Sequence, residues 1–178
     1  MSYGPLKVRI YGDPCLVAKS KPVKEVGPVE RMLIAAMFET MAACKGVGLA
    51  APQVGINEQI FVVDTGKVVM AVVNPKIVKS AGSELMEEGC LSIPRVLVDV
   101  KRAKAVWVEY TDVENRRVKA QLNGLLARVF QHEYDHLQGK LILDYLNPKD
   151  RTKVLSQWKN GSYTGKVLGE NDDYRTKI

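Results

Sequence analysis

Histidine and cysteine are scarce in this chain of 178 residues. The two histidines, His132 and His136, stand four residues apart. The three cysteines, Cys15, Cys44 and Cys90, are an odd number without a paired spacing. This argues against a disulfide framework and for reduced thiols, because structural disulfides need cysteines in pairs.

Long apolar runs are also lacking. The run at residues 68–73 has the length of a buried strand, and no apolar run in the chain approaches the ~20 residues that span a bilayer. The first ten residues do not have the basic-then-apolar layout of a secretory signal. We therefore expect a cytosolic globular protein with no membrane segment.

Charge of one sign is not concentrated anywhere in the chain. The 26 Lys and Arg residues and 20 Asp and Glu residues give a net charge of +6 and are scattered. Such a balance favours solubility and contact with polyanions in general, and it predicts no sequence-specific binding of nucleic acid. The 46% apolar and 26% charged residues are typical of one compact soluble domain.

Helices and strands are predicted from periodicity and from the positions of glycine and proline. Pro28 begins a first helix that Gly46 ends, and a second helix covers residues 125–137 between Gly124 and Gly139. Strands are predicted at residues 59–64, 68–74, 103–111 and 116–121, with a hairpin through Asn115. Residues 147–178 are polar and basic, so we expect them to form an extension and not a separate domain. In it, residues 149–159 can form a short helix and the rest resembles a loose tail.

The informative motif is His132-Glu133-Tyr134-Asp135-His136. On a helix, two imidazoles four residues apart lie on one face and can reach one metal ion. Glu133 follows the first histidine, where a carboxylate can reach metal-bound water without being a ligand. A pair of structural histidines is the alternative, but both histidines of the chain fall inside this motif.

Two histidines leave a catalytic site one protein ligand short. Carboxylates follow the motif, and Cys90, flanked by acids and a glycine, precedes it. Cys90 alone is as well interpreted as a small buried apolar residue, but beside an incomplete site the interpretation as a ligand is favoured. The downstream candidates are Asp144, which follows an apolar strand-like run, and Asp150, Glu170, Asp172 and Asp173.

Three separated segments resemble the signature motifs of peptide deformylases, in order and in spacing. They are Gly-Val-Gly-Leu-Ala-Ala-Pro-Gln at 46–53, Glu-Gly-Cys-Leu-Ser at 88–92 and Gln-His-Glu-Tyr-Asp-His at 131–136. The resemblance implies that residues 1–146 form the catalytic domain, an α+β fold with antiparallel β-sheets around a central helix that carries both histidines. It also implies removal of the N-formyl group from the initiator methionine of nascent peptides. In this reaction metal-bound water attacks the formyl carbonyl, and formate is released.

The resemblance also assigns roles to individual residues. Cys90, His132 and His136 are the implied metal ligands. Glu133 is the implied general acid and base, and Gln53 and the backbone N–H of Leu91 stabilise the charge that develops on the formyl oxygen.

The resemblance further suggests how substrate is held. Gly46 and Gly48 match a loop that binds the substrate main chain, since a residue without a side chain lets a peptide approach closely. Leu125 and Val129 are candidates for the methionine pocket, with core packing as the alternative. Seven residues after the ligand cysteine, many bacterial relatives have an arginine beside the cleft. This chain has Leu97 there, and Arg95 is the nearest cation.

Two arguments differ on the metal. One thiolate and two imidazoles favour zinc, whereas the family is known for ferrous iron in the cell. We follow the family and expect one divalent ion, Fe²⁺ in the cell, with Zn²⁺, Ni²⁺ or Co²⁺ acceptable in purified protein. The expected partners are formyl-Met nascent peptides and, through the basic extension, the ribosome. The expected location is the bacterial cytoplasm, or an organelle if the chain is a processed mature form.

Two other functions fit part of the pattern. A zinc endopeptidase would use the same helix with a downstream carboxylate as third ligand. An RNA- or ribosome-associated module with a structural metal would not need Glu133. We interpret Asp135 as a partner for a basic group such as Arg102 and not as a ligand.

Overall fold

A computed structural model of the protein describes residues 4–162. Within these residues the chain forms three α-helices: α1 (Pro28–Ala43), α2 (Gly124–Leu137) and α3 (Pro148–Lys159). Short 3-10 helices cover Pro14–Leu16, Ala51–Val54 and Ile142–Tyr145. The seven strands are β1 (Gly48–Ala50), β2 (Ile60–Asp64), β3 (Val69–Ala81), β4 (Glu84–Cys90), β5 (Ile93–Arg102), β6 (Ala105–Thr111) and β7 (Arg117–Asn123).

The strands form two antiparallel sheets. The larger sheet has the order β1-β2-β3-β6-β7, and β4 pairs with β5 in a separate hairpin. The pairing of β6 with β7 runs from Ala105 opposite Asn123 to Thr111 opposite Arg117. Asn115, in the connection between them, has a φ of 62°, the left-handed region that asparagine tolerates in tight turns.

Helices α1 and α2 cover opposite faces of the larger sheet. The first core, against α1, contains Ile60 and Val62 of β2 with Met37 and Met41 of the helix. The second core, against α2, contains the intervening side chains of β2 together with Phe130, whose ring meets that of Phe61 edge-on at 5.0 Å between centroids. Apolar burial holds both helices on the larger sheet. Polar contacts of Arg128 and His132 join α2 to the hairpin of β4 and β5.

A third apolar cluster joins the hairpin to the end of the described chain. Cys90 and Ile93 pack in it with Leu143, and α3 adds partly buried side chains, among them Trp158. The indole N–H of Trp158 donates to the carbonyl oxygen of Pro94 at 3.0 Å. Helix α3 therefore lies against β5, while the division into residues 1–146 and an extension stays a prediction.

The fold confirms most predicted elements, adds one hairpin and corrects one expected strand-like run. Both long helices, the hairpin through Asn115 and the helix in the extension are present. The hairpin of β4 and β5 had no prediction, and the apolar run before Asp144, expected to be strand-like, leads into the 3-10 helix Ile142–Tyr145. The predicted loose tail falls on residues 163–178, outside the described residues.

No helix within residues 4–162 combines the length and the apolar character that crossing a bilayer requires.

Candidate metal centre

Helix α2 presents both histidines on its buried side. His132 and His136 are one turn apart, 3% and 1% exposed, with 5.1 Å between ring centroids. Helix α2 ends at Leu137, two residues before Gly139. The φ of Gly139 is 72°, in the left-handed region. Gly139 donates its N–H to the carbonyl oxygen of His136, a helix end for which glycine is favoured.

The third donor comes from the end of strand β4. The ladder of β4 and β5 shifts register between Gly89 and Cys90, and Cys90 is 1% exposed. Its Sγ lies 3.4 Å from Nε2 of His136. The potential donor atoms of Cys90, His132 and His136 all lie within 4.8 Å of one another. One buried thiol and two buried imidazoles are a donor set that suits a divalent transition-metal ion.

The alternative third ligands do not join this group. Asp144 accepts a hydrogen bond from the N–H of Leu141 and pairs with Arg151 at 2.7 Å. Asp150 lies in the first turn of α3, where its backbone N–H donates to the side chain of Asn147, the N-cap of the helix. The three acidic residues of the tail lie outside the described residues. Among residues 4–162, the thiol is the donor that completes the histidine pair.

A buried carboxylate orients the first histidine. Oε2 of Glu88 lies 3.0 Å from Nδ1 of His132, so the opposite ring nitrogen, Nε2, is directed to the donor group. Arg102 donates to both carboxylate oxygens of Glu88 at 2.7 and 2.8 Å. Burial raises the pKa of Glu88, but hydrogen bonds to His132 and Arg102 outweigh it and lower the pKa to about 2. Glu88 is therefore an ionised acceptor at neutral pH.

Arg102 also connects this carboxylate to Asp135, in the last turn of α2. Its Nη1 donates to Oδ2 of Asp135 at 2.8 Å and to the hydroxyl of Tyr145 at 3.0 Å. The Tyr145 hydroxyl also donates to Asp135 at 2.7 Å. The predicted pairing of Asp135 with Arg102 is thus confirmed, and Asp135 is not part of the donor group.

A second arginine meets Glu88 from α2 itself. Nη1 of Arg128 lies 2.7 Å from Oε1 of Glu88 and donates to the carbonyl oxygen of Val100 at 3.0 Å. Its Nη2 donates to the carbonyl oxygen of Glu84 at 2.8 Å. Arg128 is 3% exposed. Through these three contacts, Arg128 joins the histidine-bearing helix to both strands of the hairpin that carries Cys90.

Glu133 is the buried acid that nothing in the described chain satisfies. It is 1% exposed, and both of its carboxylate oxygens lack a hydrogen-bond partner among the described residues. Burial raises the pKa of Glu133 to about 7. A carboxyl group with a pKa near neutrality can take up and release a proton at working pH.

Gly48 leaves the space that the Glu133 side chain occupies. A β-carbon at residue 48 would collide with Oε1 of Glu133 and would lie 2.9 Å from its Cγ. The resemblance implies that a substrate peptide approaches this loop, and the structure places the Glu133 carboxylate beside Gly48.

Gln53 and Leu91 lie beside Cys90. Gln53, 1% exposed, accepts the N–H of Ala50 at 2.9 Å, and its Nε2 lies 3.6 Å from Sγ of Cys90. The same Nε2 donates to the hydroxyl of Ser92 at 3.2 Å. Leu91 follows Cys90 in the turn between β4 and β5, and a β-carbon at Gly46 would lie 3.0 Å from its Cδ1. The amide nitrogen of Gln53 and the backbone of Leu91 are therefore both next to the donor group.

The two pocket candidates lie in different surroundings. Leu125 is in the first turn of α2 and 40% exposed, whereas Val129, one turn later, is fully buried in the core between α2 and the sheet. Leu97 is 8% exposed and pairs with Gly89, and Arg95 is exposed with a φ of 70°. The contacts of Leu125 and Val129 do not test whether they line a pocket for the methionine side chain, so this assignment stays a prediction.

Sequence reasoning missed Glu88 and Arg128 as parts of this site. Glu88 and Cys90 are two residues apart on a strand, so their side chains share a face. That signal was hidden because Glu84–Cys90, with three glutamates, was not predicted as a strand.

The comparisons with known proteins agree with this geometry. The family model described as polypeptide deformylase matches residues 5–152. A peptide deformylase of Thermotoga neapolitana is 47% identical over 146 residues, which are 82% of this chain and 89% of that protein. One of Treponema pallidum is 44% identical over 154 residues, 86% of this chain and 95% of its own length.

Solved structures give the same result. The crystal structure of the Thermotoga maritima peptide deformylase superposes with a TM-score of 0.80 at 44% identity, covering 82% of this chain and all of that one. The Ehrlichia chaffeensis enzyme in complex with actinonin gives 0.85 at 33% identity, covering 90% of this chain and 99% of that one. With the family model spanning most of the chain, the protein belongs to the polypeptide deformylase family.

Proposed function

We propose that this chain removes the N-formyl group from the initiator methionine of nascent polypeptides and releases formate. One observation carries the proposal: Glu133 presents two buried carboxylate oxygens, without protein partners in residues 4–162, beside the group of Cys90, His132 and His136. A closed structural metal site has no use for such a carboxylate, whereas hydrolysis needs a group that moves a proton.

Cys90, His132 and His136 would hold the metal ion. Such an ion supplies a Lewis acid and a water of lowered pKa when it is bound there. We assign Fe²⁺ as the ion in the cell, with Zn²⁺, Ni²⁺ or Co²⁺ acceptable in purified protein. Glu88 keeps the ring of His132 in place through its bond to Nδ1.

Glu133 would act as general base and then as general acid. One of its oxygens takes a proton from the water whose oxygen bonds to the formyl carbon. The same carboxyl group then delivers that proton to the amine nitrogen as the carbon–nitrogen bond breaks. A pKa of about 7 suits both directions of transfer.

Gln53 and Leu91 would stabilise the negative charge that develops on the formyl oxygen. Nε2 of Gln53 is already held next to Cys90 by the bond of its Oε1 to Ala50. Preorganised donors of this kind need no reorganisation during the reaction. Donation by the Leu91 backbone N–H would complete the pair.

The substrate main chain would lie along the backbone of Gly46 and Gly48. Gly48 belongs to β1, an edge strand of the larger sheet, so an extended peptide can approach its backbone. Leu125 and Val129 remain our candidates for contact with the methionine side chain, Leu125 through its exposed surface.

We further propose that the protein works in the bacterial cytoplasm, or in an organelle, and contacts the ribosome through residues 147–178. Helix α3 places Lys149, Lys153 and Lys159 at exposed positions. Co-sedimentation with ribosomes that weakens with salt and is lost after truncation at residue 146 would support this contact, and unchanged binding of the truncated protein would contradict it.

The main test is formate release from formyl-Met dipeptides by protein loaded separately with Fe²⁺, Ni²⁺ and Zn²⁺. We expect release with all three and the fastest turnover with Fe²⁺ or Ni²⁺. No release with any metal would overturn the proposal. An unformylated peptide cleaved internally under the same conditions would favour the endopeptidase instead.

A further inference from the structure

In the half of the larger sheet that β3, β6 and β7 form, the surface on the side opposite to α2 faces outward. Register pairs place the side chains in rows across β3, β6 and β7: Lys76 with Glu109 and Lys119, and Lys79 with Trp107 and Gln121. Paired residues of neighbouring strands point to the same side of a sheet. We call this surface the cationic face; it consists of Lys76, Lys79, Trp107, Glu109, Thr111, Arg117, Lys119 and Gln121.

The face has a surplus of positive charge. It carries four cationic side chains and one carboxylate, that of Glu109. Lys119 pairs with Glu109 at 2.8 Å. Lys76, Lys79 and Arg117 then add three positive charges at exposed positions on neighbouring strands. A local surplus of this size attracts polyanions more strongly than the same charges scattered over the surface would.

An aromatic ring lies within this charge. Trp107 is partly exposed on β6, and Nζ of Lys79 is 4.6 Å from its ring centroid. Gln121 neighbours Trp107 in the same row, and its Nε2 donates to Oδ1 of Asn123 at 3.3 Å. Because Lys79 lies over this ring, a nucleobase can stack there when the ammonium group moves from the ring to a neighbouring phosphate, with the amides at the ring edge.

A concavity of about 250 Å³ opens in the same face. Its lining includes Lys76, Arg117 and Thr111, together with Lys119 and the Glu109 carboxylate that pairs with it. Cations and a hydroxyl around one hollow are donors to phosphate oxygens. The hollow and the indole lie in adjacent rows of the sheet, as successive phosphate and base contacts require.

We propose that the cationic face binds the phosphate backbone of single-stranded RNA, without sequence preference. Lys76, Lys79 and Arg117 contact phosphates, and Trp107 stacks on a base. An acidic protein surface would match the positive charge of the cationic face, but it would offer no base to stack on the indole of Trp107. This inference does not depend on the metal centre, which lies beyond the opposite side of the sheet.

The test is fluorescence anisotropy of a labelled oligouridylate titrated with the full chain over a series of salt concentrations. The variant Lys76→Ser/Lys79→Ser/Arg117→Ser should lose about tenfold or more in affinity. The slope of log affinity against log salt should fall in magnitude by about 2, because three phosphate contacts to a single strand are removed. Deformylation of a short formyl peptide should be unchanged, which reports an intact fold.

The matched control removes three exposed lysines elsewhere, as Lys7→Ser/Lys19→Ser/Lys67→Ser, with the same change in net charge. It should keep the salt slope. An equal loss in control and test variants would overturn the proposal, as would the absence of binding by the unchanged protein.

Tryptophan emission separates RNA from an acidic protein. The chain has two tryptophans, so Trp158→Phe leaves Trp107 as the reporter. Addition of oligouridylate should quench its emission, and Trp107→Leu should weaken binding while the salt slope is kept. Poly-glutamate of equal charge that competes as well as RNA would show that the partner is an acidic protein and would overturn the assignment to RNA.

Discussion

Gly48 and Glu133 are packed so closely that a β-carbon at residue 48 would lie 2.8 Å from the carboxyl carbon of Glu133. Gly48 belongs to the edge strand β1, and Glu133 belongs to the helix that carries the histidines. The position of the proposed proton carrier therefore depends on the absence of a side chain on a neighbouring strand.

The first prediction concerns this pair. Gly48→Ala should displace the Glu133 carboxylate and lower kcat/KM for formate release by about 10²-fold, since small displacements of a reacting group have effects of this size. Metal content should not change. In a Glu133→Ala background the same substitution should cause little further loss. Losses that simply add would show that Gly48 acts through another group, such as the substrate.

Glu133 itself gives the second prediction. Glu133→Gln preserves the shape of the side chain but removes its capacity to take up a proton, so turnover should fall by about 10²- to 10⁴-fold. Elemental analysis should find the metal retained. Turnover within tenfold of the unchanged protein would contradict the acid–base role.

The third prediction tests the thiol. Cys90→Ser should weaken metal binding by at least about tenfold, measured by competition with a chelator, because a hydroxyl is a poorer ligand than a thiolate. Cys15→Ser and Cys44→Ser are matched controls, since both are free cysteines and only partly buried. Equal metal affinity in all three variants would remove Cys90 from the site.

Gln53 provides the fourth prediction. Gln53→Ala should lower kcat by about 10²-fold with a small effect on KM, because a donor to the developing oxyanion acts mainly in the transition state. A rise in KM alone would instead assign Gln53 to substrate binding.

The fifth prediction concerns the link between helix and hairpin. Arg128→Met leaves Glu88 with one arginine fewer in a buried site and should reduce the free energy of unfolding by about 3 kcal/mol, measured by urea denaturation of metal-loaded protein. Arg116→Met removes an arginine paired at the surface and should have little effect. Equal losses in the free energy of unfolding for the two variants would contradict a larger stabilising role for the buried Arg128 than for a surface arginine.

The sequence was sufficient for the parts of the fold that follow a regular pattern. Helix α2 has a glycine at each end, and the hairpin of β6 and β7 alternates on both sides of Asn115. The group of Cys90, His132 and His136 was also predicted, since histidine spacing on a helix reflects local geometry. The resemblance supplied the third donor of that group, because residue patterns alone left a carboxylate open.

The hairpin of β4 and β5 could not be predicted in the same way. Glu88 is fully buried, which is exceptional for a glutamate and depends on two arginines distant in sequence. The compensation for its charge is a tertiary contact, and no local pattern records it. The role of Gly48 as space for Glu133 is equally non-local, because the two residues meet only after β1 has packed against α2.

Strand β2 separates two cores, and its neighbouring residues belong to different ones. Ile60 and Val62 face α1, whereas Phe61 and Val63 face α2. A slip of one residue would still bury apolar groups on both sides, so hydropathy alone does not specify the register of this strand. The edge-on fit of Phe61 against Phe130 does, because a smaller neighbour in that place would leave a void. Substitutions among apolar residues in β2 are therefore limited by volume and shape, although they would look interchangeable by hydropathy.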